Sequence, residues 1–299
     1  PLVNPQRFPL AITIDEYPPL AKFAARFGII EKNAGAVLPV TVRNLEPIAG
    51  QKTGTGAQYR VKILKDDQEV ITWLRKLDQD REYSEEVEVK KFGKIASRIE
   101  DDRARSWLKD SSQAIPLPKP NNAQDFEVIG LPLQGSGLHI VEVQSQYLGQ
   151  SLLHDNSGPM YVRAAALVTN LAVHYKEGDA NGLVWVTTLD KGEVVAGAHV
   201  SVNDCTGEPL WQGLTNAQGI AQFDQTLPKK TKYDCHRFIS ARLGDDYSFA
   251  WSNWNDGIEL WRFNLPETYA DAPAIRFHTT LARTLLRAGE VVHMKHFAR

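Results

Sequence analysis

The sequence has 299 residues, of which 42% are hydrophobic and 23% charged, and its formal net charge is -2. This length predicts about two domains with well-filled cores, and the composition is that of an ordinary globular protein. A nearly neutral chain gives no electrostatic reason to expect nucleic acid or an acidic lipid surface as a partner. No apolar run approaches the roughly 18 residues that a membrane-spanning helix needs. We therefore expect no nucleic-acid partner and no transmembrane segment.

The ends of the chain indicate a piece of a larger protein. It begins at Pro1 rather than at methionine and stops at Arg299, inside a strand-like run. No basic stretch followed by an apolar stretch resembles a signal peptide. We expect any export signal, lipid anchor or catalytic residues to lie outside this fragment.

The N-terminal part predicts short extended segments. Ala11–Asp15 is predicted as a strand, and Leu20–Phe27 is predicted as a short helical turn. Leu38–Val42 alternates in polarity, and its Pro39 favours an edge strand or the first position of a strand. Tyr59–Ile63 is the next alternating strand.

A charge-dense segment from about residue 66 to residue 110 differs from its surroundings, because it has few turn signals and partly helical periodicity. Asp66 or Asp67 can cap a helix, and Glu69 supplies an acid in its first turn. The apolar stripe that follows consists of Val70, Trp73, Leu74 and Leu77. This predicts one amphipathic helix in an insert. A solvated face with mixed charges explains the segment, and a docking surface for another protein is the alternative.

Strand signals return after this insert. Pro116, Pro118 and Pro120 indicate a stiff extended linker or an edge segment. Leu138–Val143 is largely apolar on both faces, which predicts a central strand between two layers.

The second half predicts a β-sandwich most clearly. Turn signals at Asp190–Gly192, Thr206–Gly207 and Asn216–Gly219 separate runs rich in β-branched and aromatic residues. This spacing is typical of an immunoglobulin-like or fibronectin-like sandwich. The predicted strands lie near residues 166–175, 183–190, 199–205, 209–214, 219–224, 235–243 and 246–252. Two further strands, Ile275–Thr279 and Val291–Ala298, are predicted to begin a third domain.

The chain has two cysteines, Cys205 and Cys235, in the same predicted domain. Such a pair is either a disulfide or two buried thiols, and we favour the disulfide, with an oxidising compartment. Neither cysteine lies in a CxxC motif or has a ligand partner at zinc-like spacing.

No motif predicts catalysis, a cofactor or a metal. His293 and His296 would point to opposite faces of one strand, so they cannot chelate together. Asp101–Asp102 and Asp245–Asp246 fit turn or surface roles rather than calcium binding or acid–base chemistry. No nucleophile elbow, HExxH or phosphate-binding glycine loop is present. We expect no enzyme active site in these residues.

An aromatic group near the end of the second sandwich is the candidate interaction surface. Trp251, Trp254, Trp261 and Phe263 offer flat faces that suit sugar rings, so a carbohydrate-binding or peptidoglycan-binding module is the rival function. The simpler explanation is packing, since each aromatic side chain buries roughly 150–250 Å².

Four stretches of the sequence resemble one family. Leu167–Leu171 (LVTNL), Leu183–Thr187 (LVWVT), Trp261–Pro266 (WRFNLP) and Arg283–Glu290 (RTLLRAGE) resemble the N-terminal half of bacterial α2-macroglobulin-like proteins. The resemblance covers almost the whole chain. It is strongest to the subgroup with paired cysteines in the second of these domains, which supports joining Cys205 to Cys235.

The resemblance implies an all-β fold of tandem seven-stranded macroglobulin sandwiches, the first with a small helical insert. The implied domains are residues 1–163, with the insert at about 66–110, then 164–272 with the disulfide, and 273–299 as the start of another domain. Family members with the full apparatus trap proteases after cleavage of a bait region, and a Cys-to-Gln thioester then captures the protease covalently; some relatives lack the thioester. Neither cysteine here precedes the Glu-Gln pair that the thioester requires.

By this resemblance we expect structural domains without a catalytic site, in a periplasmic protein anchored to the inner membrane by an N-terminal lipid. The implied partners are proteases, and envelope proteins such as peptidoglycan synthases are a second class. The implied function is protease entrapment and inhibition in envelope defence.

Overall fold

The computed structural model describes residues 19–43, 45, 56–79, 84–89, 93–98, 102–118, 127–153, 158–228, 235–254, 260–264, 275, 277–283, 285 and 287–298. The predicted strand Ala11–Asp15 lies outside these residues. The chain divides into two compact units, Pro1–Asn253 and Trp254–Arg299. No helix in the described ranges is long and apolar enough to cross a membrane.

The first unit is built mainly from strands, which we number in chain order. Its elements are β1 (Leu20–Phe23), β2 (Phe27–Glu31), β3 (Val37–Arg43), β4 (Gln58–Leu64), α1 (Asp67–Gln79), β5 (Ser84–Val89), β6 (Gly93–Arg98), β7 (Ile115–Pro116), β8 (Glu127–Pro132), β9 (Gly137–Ser145), α2 (Gln146–Leu152), β10 (Met160–Thr169), β11 (Leu171–Glu177), β12 (Gly182–Thr188), β13 (His199–Asn203), β14 (Pro209–Leu214), β15 (Ile220–Phe223), β16 (Phe238–Leu243) and β17 (Asp246–Trp251).

The first sandwich packs a three-stranded sheet, β1-β3-β8, against a five-stranded sheet, β2-β10-β9-β4-β7. Val40, Ile129, Val141, Val143 and Ala164 belong to the core between them. In the described residues this is one strand more than the seven expected, and the two-residue β7 is the shortest of them. Among the described strands β7 pairs only with β4, so it is an edge strand, as predicted for the start of the proline-rich segment.

The predicted helical turn at Leu20–Phe27 is wrong, because Leu20–Phe23 forms strand β1. Its residues pair antiparallel with Val40–Arg43 of β3. A short apolar run has no distinguishing periodicity, and here the long-range pairing decides its conformation. β3 is central rather than at an edge, but β1 ends before it reaches Pro39. Within the described part of the chain Pro39 therefore pairs on one side only, with Gly130, which suits a residue without an N–H.

The second sandwich packs β11-β12-β15 against β14-β13-β16-β17, seven strands in the described residues. Val184, Val186, Val200, Ala221 and Ile239 belong to its core. The predicted strand at 166–175 is divided at Asn170 between β10 in the first sandwich and β11 in the second. The mainly all-β fold of tandem sandwiches with a helical insert is confirmed.

The insert contains the predicted helix and an element that the sequence did not indicate. Helix α1 carries its apolar stripe as expected, with Val70 and Leu77 buried. β5 and β6 form a separate antiparallel hairpin, which pairs with no other described strand. The second unit contains β18 (Phe277–Leu281) and β19 (Met294–Ala298), an antiparallel pair close to the two predicted strands.

Candidate functional site at the junction of the two sandwiches

A hydrophobic cluster continues from the first sandwich into the second, and we call it the shared core. β9 contributes Leu138 and Ile140, and β10 contributes Leu167, on the sheet face opposite the first sandwich's own core. The second sandwich contributes the outer face of β16 and β17, with Phe238, Tyr247 and Phe249. All its fully buried members are at most 5% exposed: Leu64, Val70, Ile71, Leu77, Leu108, Leu138, Ile140, Ala165, Leu167, Phe238, Tyr247 and Phe249. Each large apolar side chain contributes roughly 1.5–3 kcal/mol on burial, so the two sandwiches stabilise each other.

The aromatic side chains of the shared core pack at close range. The Phe238 ring lies 5.0 Å from that of Phe249 and 4.9 Å from that of Trp251, between ring centroids. Phe27, from the first sandwich, lies 5.9 Å from Phe249. These geometries are within the range of favourable aromatic pairs. Contacts of this kind resist sliding of one sandwich over the other.

The first turn of α1 positions a carboxylate at the edge of the shared core. Asp66 is the N-cap, since its Oδ1 accepts a 3.0 Å hydrogen bond from the Glu69 N–H. The cap leaves the next residue, Asp67, for a different role. Asp67 points to the second sandwich, and its side chain is 13% exposed.

Four side chains of the second sandwich donate to this one carboxylate, and we call the group the Asp67 cluster. Asp67 accepts hydrogen bonds from Asn203 Nδ2 at 3.1 Å, Ser240 Oγ at 2.7 Å, Arg242 Nη2 at 2.6 Å and Tyr247 Oη at 2.9 Å. A carboxylate has about four acceptor positions, so Asp67 is saturated by its partners. Burial and the neighbouring negative charge of Asp67 raise the pKa of the Tyr247 hydroxyl well above 10.

The paired carboxylates Asp245 and Asp246 also lie at this junction. Lys65 Nζ donates to the Asp245 carbonyl at 2.6 Å, and Lys32 Nζ contacts its carboxylate at 3.1 Å. The hydrogen bond and charge of Lys32 lower the pKa of Asp245. Asp246 accepts hydrogen bonds from Thr169 Oγ1 and from the backbone N–H of Asn170, both at 2.9 Å. Asp246 thus fixes the chain where it passes from the first sandwich into the second.

The structure joins Cys205 to Cys235, with an S–S distance of 2.10 Å. Cys205 lies in the turn Asp204–Gly207, which also contacts the first sandwich. Arg75 of α1 donates a hydrogen bond to the Cys205 carbonyl. A Cβ atom added to Gly207 would lie 2.8 Å from Gln68 Cγ. The disulfide-linked turn is therefore part of the junction.

A buried ion pair anchors the C-terminal end of the insert. Arg163 Nε lies 3.0 Å from Glu142 Oε2, and both side chains are fully buried. The backbone N–H of Trp107 donates to the same carboxylate at 2.8 Å, and Ser106 Oγ donates to its other oxygen. The Arg163 guanidinium lies 4.0 Å from the centroid of the Trp107 ring. Residues 105–108 are thus attached to the outer face of the five-stranded sheet.

The residues of the predicted aromatic surface differ in how far their side chains are exposed. Trp251 is half-buried and packs on Phe238 in the shared core. Trp254 is 44% exposed and Phe263 is 61% exposed in the second unit. The side chain of Trp261 lies outside the described part of the structure. An interaction surface at these positions stays a prediction.

The described residues contain no group of three or more His, Cys, Asp and Glu side chains suited to a metal ion. His296 Nδ1 instead lies 2.8 Å from Thr279 Oγ1 on the neighbouring strand. The Asp67 cluster is the feature that sequence reasoning missed. Its only signal was that two adjacent aspartates competed for one capping position, which left the second carboxylate unexplained.

Tandem sandwiches that share one core define a multidomain structural β-protein. Residues 168–269 match the family model described as the bacterial alpha-2-macroglobulin MG3 domain. The chain thus contains a macroglobulin domain of the bacterial α2-macroglobulin type, and the resemblance found in its motifs is confirmed. No curated protein matches the chain significantly.

Solved structures of bacterial α2-macroglobulins are similar to this chain. Trypsin-activated α2-macroglobulin from Escherichia coli matches with a TM-score of 0.51 at 16% identity, covering 94% of this chain and 17% of that one. Salmonella α2-macroglobulin reacted with methylamine matches with a TM-score of 0.48 at 15% identity, covering 95% and 15%. An E. coli fragment spanning domains MG0-NIE-MG1 gives 0.45 at 17% identity, covering 79% and 64%. The chain therefore spans less than two thirds of each of these relatives.

Proposed function

We propose that this chain is a rigid part of the domain array of a periplasmic α2-macroglobulin-like protein that entraps and inhibits proteases in envelope defence. In this role the sandwiches have no catalytic site, and they hold other parts of the protein at fixed positions. The full-length protein is anchored to the inner membrane by an N-terminal lipid. For the domain boundaries we propose the predicted ranges 1–163, 164–272 and 273–299, with the first boundary moved to Asn170, where β10 ends and β11 follows.

The observation that carries this proposal is the shared core together with the MG3 domain at residues 168–269. Domains joined by a flexible linker with a small polar contact move relative to each other by default. Here buried aromatic residues and the Asp67 cluster oppose that motion. A rigid array is what a protein needs if cleavage at one place is to cause a defined rearrangement at another. Of the matched relatives, one E. coli protein is described as trypsin-activated.

The test uses the full-length protein, mixed with proteases of different specificity and assayed on a large protein substrate and a small peptide. We expect cleavage of the large substrate to fall and cleavage of the peptide to continue, because a caged protease admits only small molecules. If neither cleavage falls, the entrapment proposal is wrong.

A scaffold that docks other envelope proteins, such as peptidoglycan synthases, is the second candidate function. It is favoured by the hairpin β5–β6, which forms its own sheet between two anchored segments, α1 and residues 105–108. Replacing residues 80–101 by a short Gly/Ser linker retains both anchors. If docking is the function, this variant keeps its thermal stability and loses a partner in pull-down from envelope extracts.

The carbohydrate-binding or peptidoglycan-binding alternative requires an exposed tryptophan platform. Trp254 is exposed enough to contribute, whereas Trp251 packs on Phe238. Titration of tryptophan fluorescence with glycan fragments tests it, with Trp254→Ala as the variant that must abolish any response. No response in the parent protein excludes this alternative for these residues.

A further inference from the structure

The disulfide lies where the two sandwiches meet, rather than within the core of one of them. Cys205 follows β13 and stands in the turn Asp204–Gly207, and Cys235 stands just before β16, with a Cα–Cα distance of 5.0 Å. Cys235 is 6% exposed, and Cys205 is half-buried. The bridge therefore attaches this turn to the buried end of β16, whose Phe238 belongs to the shared core.

The same turn contacts the first sandwich on its other side. The Gly207 position lies against α1, because a Cβ there would be 2.8 Å from Gln68 Cγ and 3.1 Å from its Cα. Its φ of +92° is also one that residues with a Cβ rarely adopt. The Arg75 guanidinium donates to the Cys205 carbonyl. Helix α1 therefore packs on a turn that the disulfide links covalently to the start of β16.

We propose that the Cys205–Cys235 disulfide fastens the contact between the two sandwiches, so that this contact depends on the redox state. Without the bridge the turn keeps its two flanking strands and its own hydrogen bonds, such as those that Asp204 Oδ1 accepts from the Thr206 and Glu208 N–H groups, but it loses its covalent link to β16. Its local opening therefore becomes easier. Opening of the turn removes the packing surface of Gln68 and the acceptor of Arg75. The first turns of α1 then lose protection, although they lie in the other sandwich.

The reductant in this proposal is a dithiol, either a small molecule or a protein dithiol oxidoreductase. Its thiolate attacks the sulfur of Cys205, the more exposed partner, and the Cys235 thiolate leaves and takes up a proton. The second thiol of the reductant resolves the mixed disulfide. Two electrons and two protons thus pass to the two cysteines, and the dithiol becomes a disulfide.

The experiment is hydrogen exchange followed by mass spectrometry on the 299-residue chain, oxidised and after treatment with dithiothreitol. We expect exchange in residues 66–72 of α1 and in residues 204–210 to accelerate about tenfold, which corresponds to about 1.4 kcal/mol of opening free energy. Peptides covering β11–β12 and β3 should not change. The double variant Cys205→Ser/Cys235→Ser should reproduce the pattern without reductant.

A glycine variant tests the same contact from the other side while the disulfide stays intact. Gly207→Ala places a Cβ against Gln68, whereas Gly197→Ala is a matched control with a φ of +73° and nothing within 4 Å. Gly207→Ala should accelerate exchange in residues 66–72, and Gly197→Ala should not. Reduction should add less in Gly207→Ala than in the parent, because both changes act on one contact.

Two results would overturn the inference. In the first, residues 204–210 respond to reduction but residues 66–72 do not, so the bridge acts within its own sandwich. In the second, exchange in β11–β12 rises as much as in α1, so reduction destabilises the second sandwich as a whole. The inference goes beyond the proposed function, and the two can fail separately. If the two sandwiches stay rigidly joined after reduction, the inference is wrong and the proposed function is not contradicted.

Discussion

Tyr247 and Asp67 are 180 positions apart in the sequence and belong to different sandwiches, yet the Tyr247 hydroxyl donates a 2.9 Å hydrogen bond to the Asp67 carboxylate. Arg242 donates to the same oxygen from the neighbouring strand. The charge of Asp67 is compensated mainly from the second sandwich. Its partners define how the two sandwiches are oriented, because a saturated carboxylate accepts no alternative arrangement of donors.

Replacing Asp67 tests how much the Asp67 cluster contributes to the free energy of unfolding. Asp67→Ala removes the acceptor of the Ser240, Asn203 and Tyr247 donors at a mostly buried site. We expect the free energy of unfolding to fall by about 2–3 kcal/mol, which allows for the partial exposure of Arg242. Urea denaturation followed by circular dichroism measures this loss. Glu69→Gln, on the exposed face of the same helix turn, is the matched control and should change stability by less than about 0.5 kcal/mol. Equal effects of the two variants would contradict the assignment.

The folded state should become less stable at alkaline pH because the Tyr247 hydroxyl titrates. In the folded state, burial and the charge of Asp67 raise the pKa of the Tyr247 hydroxyl. As the pH rises, the unfolded state therefore loses the Tyr247 proton before the folded state does. The contribution of the Tyr247 hydroxyl to the free energy of unfolding is therefore fully present below about pH 10. Above that pH it decreases by up to about 1.4 kcal/mol per pH unit for one proton. Denaturant midpoints between pH 8 and pH 11 measure the slope.

The Tyr247→Phe variant isolates this effect from the other buried tyrosines. Burial also raises the pKa of Tyr175, whose hydroxyl donates to Glu177. Tyr247→Phe should be less stable at neutral pH and should decline less steeply above pH 10 than the parent. An unchanged slope would show that Tyr247 does not titrate differently in the folded and unfolded states.

The buried pair Glu142–Arg163 should anchor the end of the insert. Glu142→Gln leaves the Arg163 charge buried beside a neutral amide, for which we expect a loss of about 3–5 kcal/mol. The double variant Glu142→Gln/Arg163→Met removes both charges and should be more stable than Glu142→Gln alone. Limited proteolysis should cut residues 105–112 faster in Glu142→Gln. If the double variant is the less stable one, the cost does not arise from an unpaired charge.

Position 219 should require a glycine for two reasons, its backbone conformation and the close approach of neighbouring atoms. It has a φ of +75°, and an added Cβ would lie 2.7 Å from the Val186 carbonyl oxygen. Gly192 has a similar φ of +70° with nothing within 4 Å. Gly192→Ala measures strain alone, about 1 kcal/mol, and Gly219→Ala should cost clearly more. Thermal unfolding compares the two, and similar melting temperatures would refute the steric argument.

Local patterns were sufficient for much of the second sandwich and for α1. Alternation in Leu183–Leu189, the turn at Asn216–Gly219 and the stripe that includes Val70 and Leu77 each depend on neighbours within a few residues. The strands β12–β17 and the helix accordingly lie close to the predicted ranges. The family resemblance of the motifs was likewise readable without coordinates.

Long-range pairing decided the rest. Leu20–Phe23 is a strand because β3 lies beside it, and the run at 166–175 breaks at Asn170 because its two halves join different sheets. A period-2 pattern shows that two faces exist but not what covers each of them. The outer faces of β9 and β16 became one core, and Asp67 became its polar edge, only when folding brought the sandwiches together. Sequence patterns thus specified most of the elements, and tertiary contacts alone determined that the two sandwiches form one compact unit.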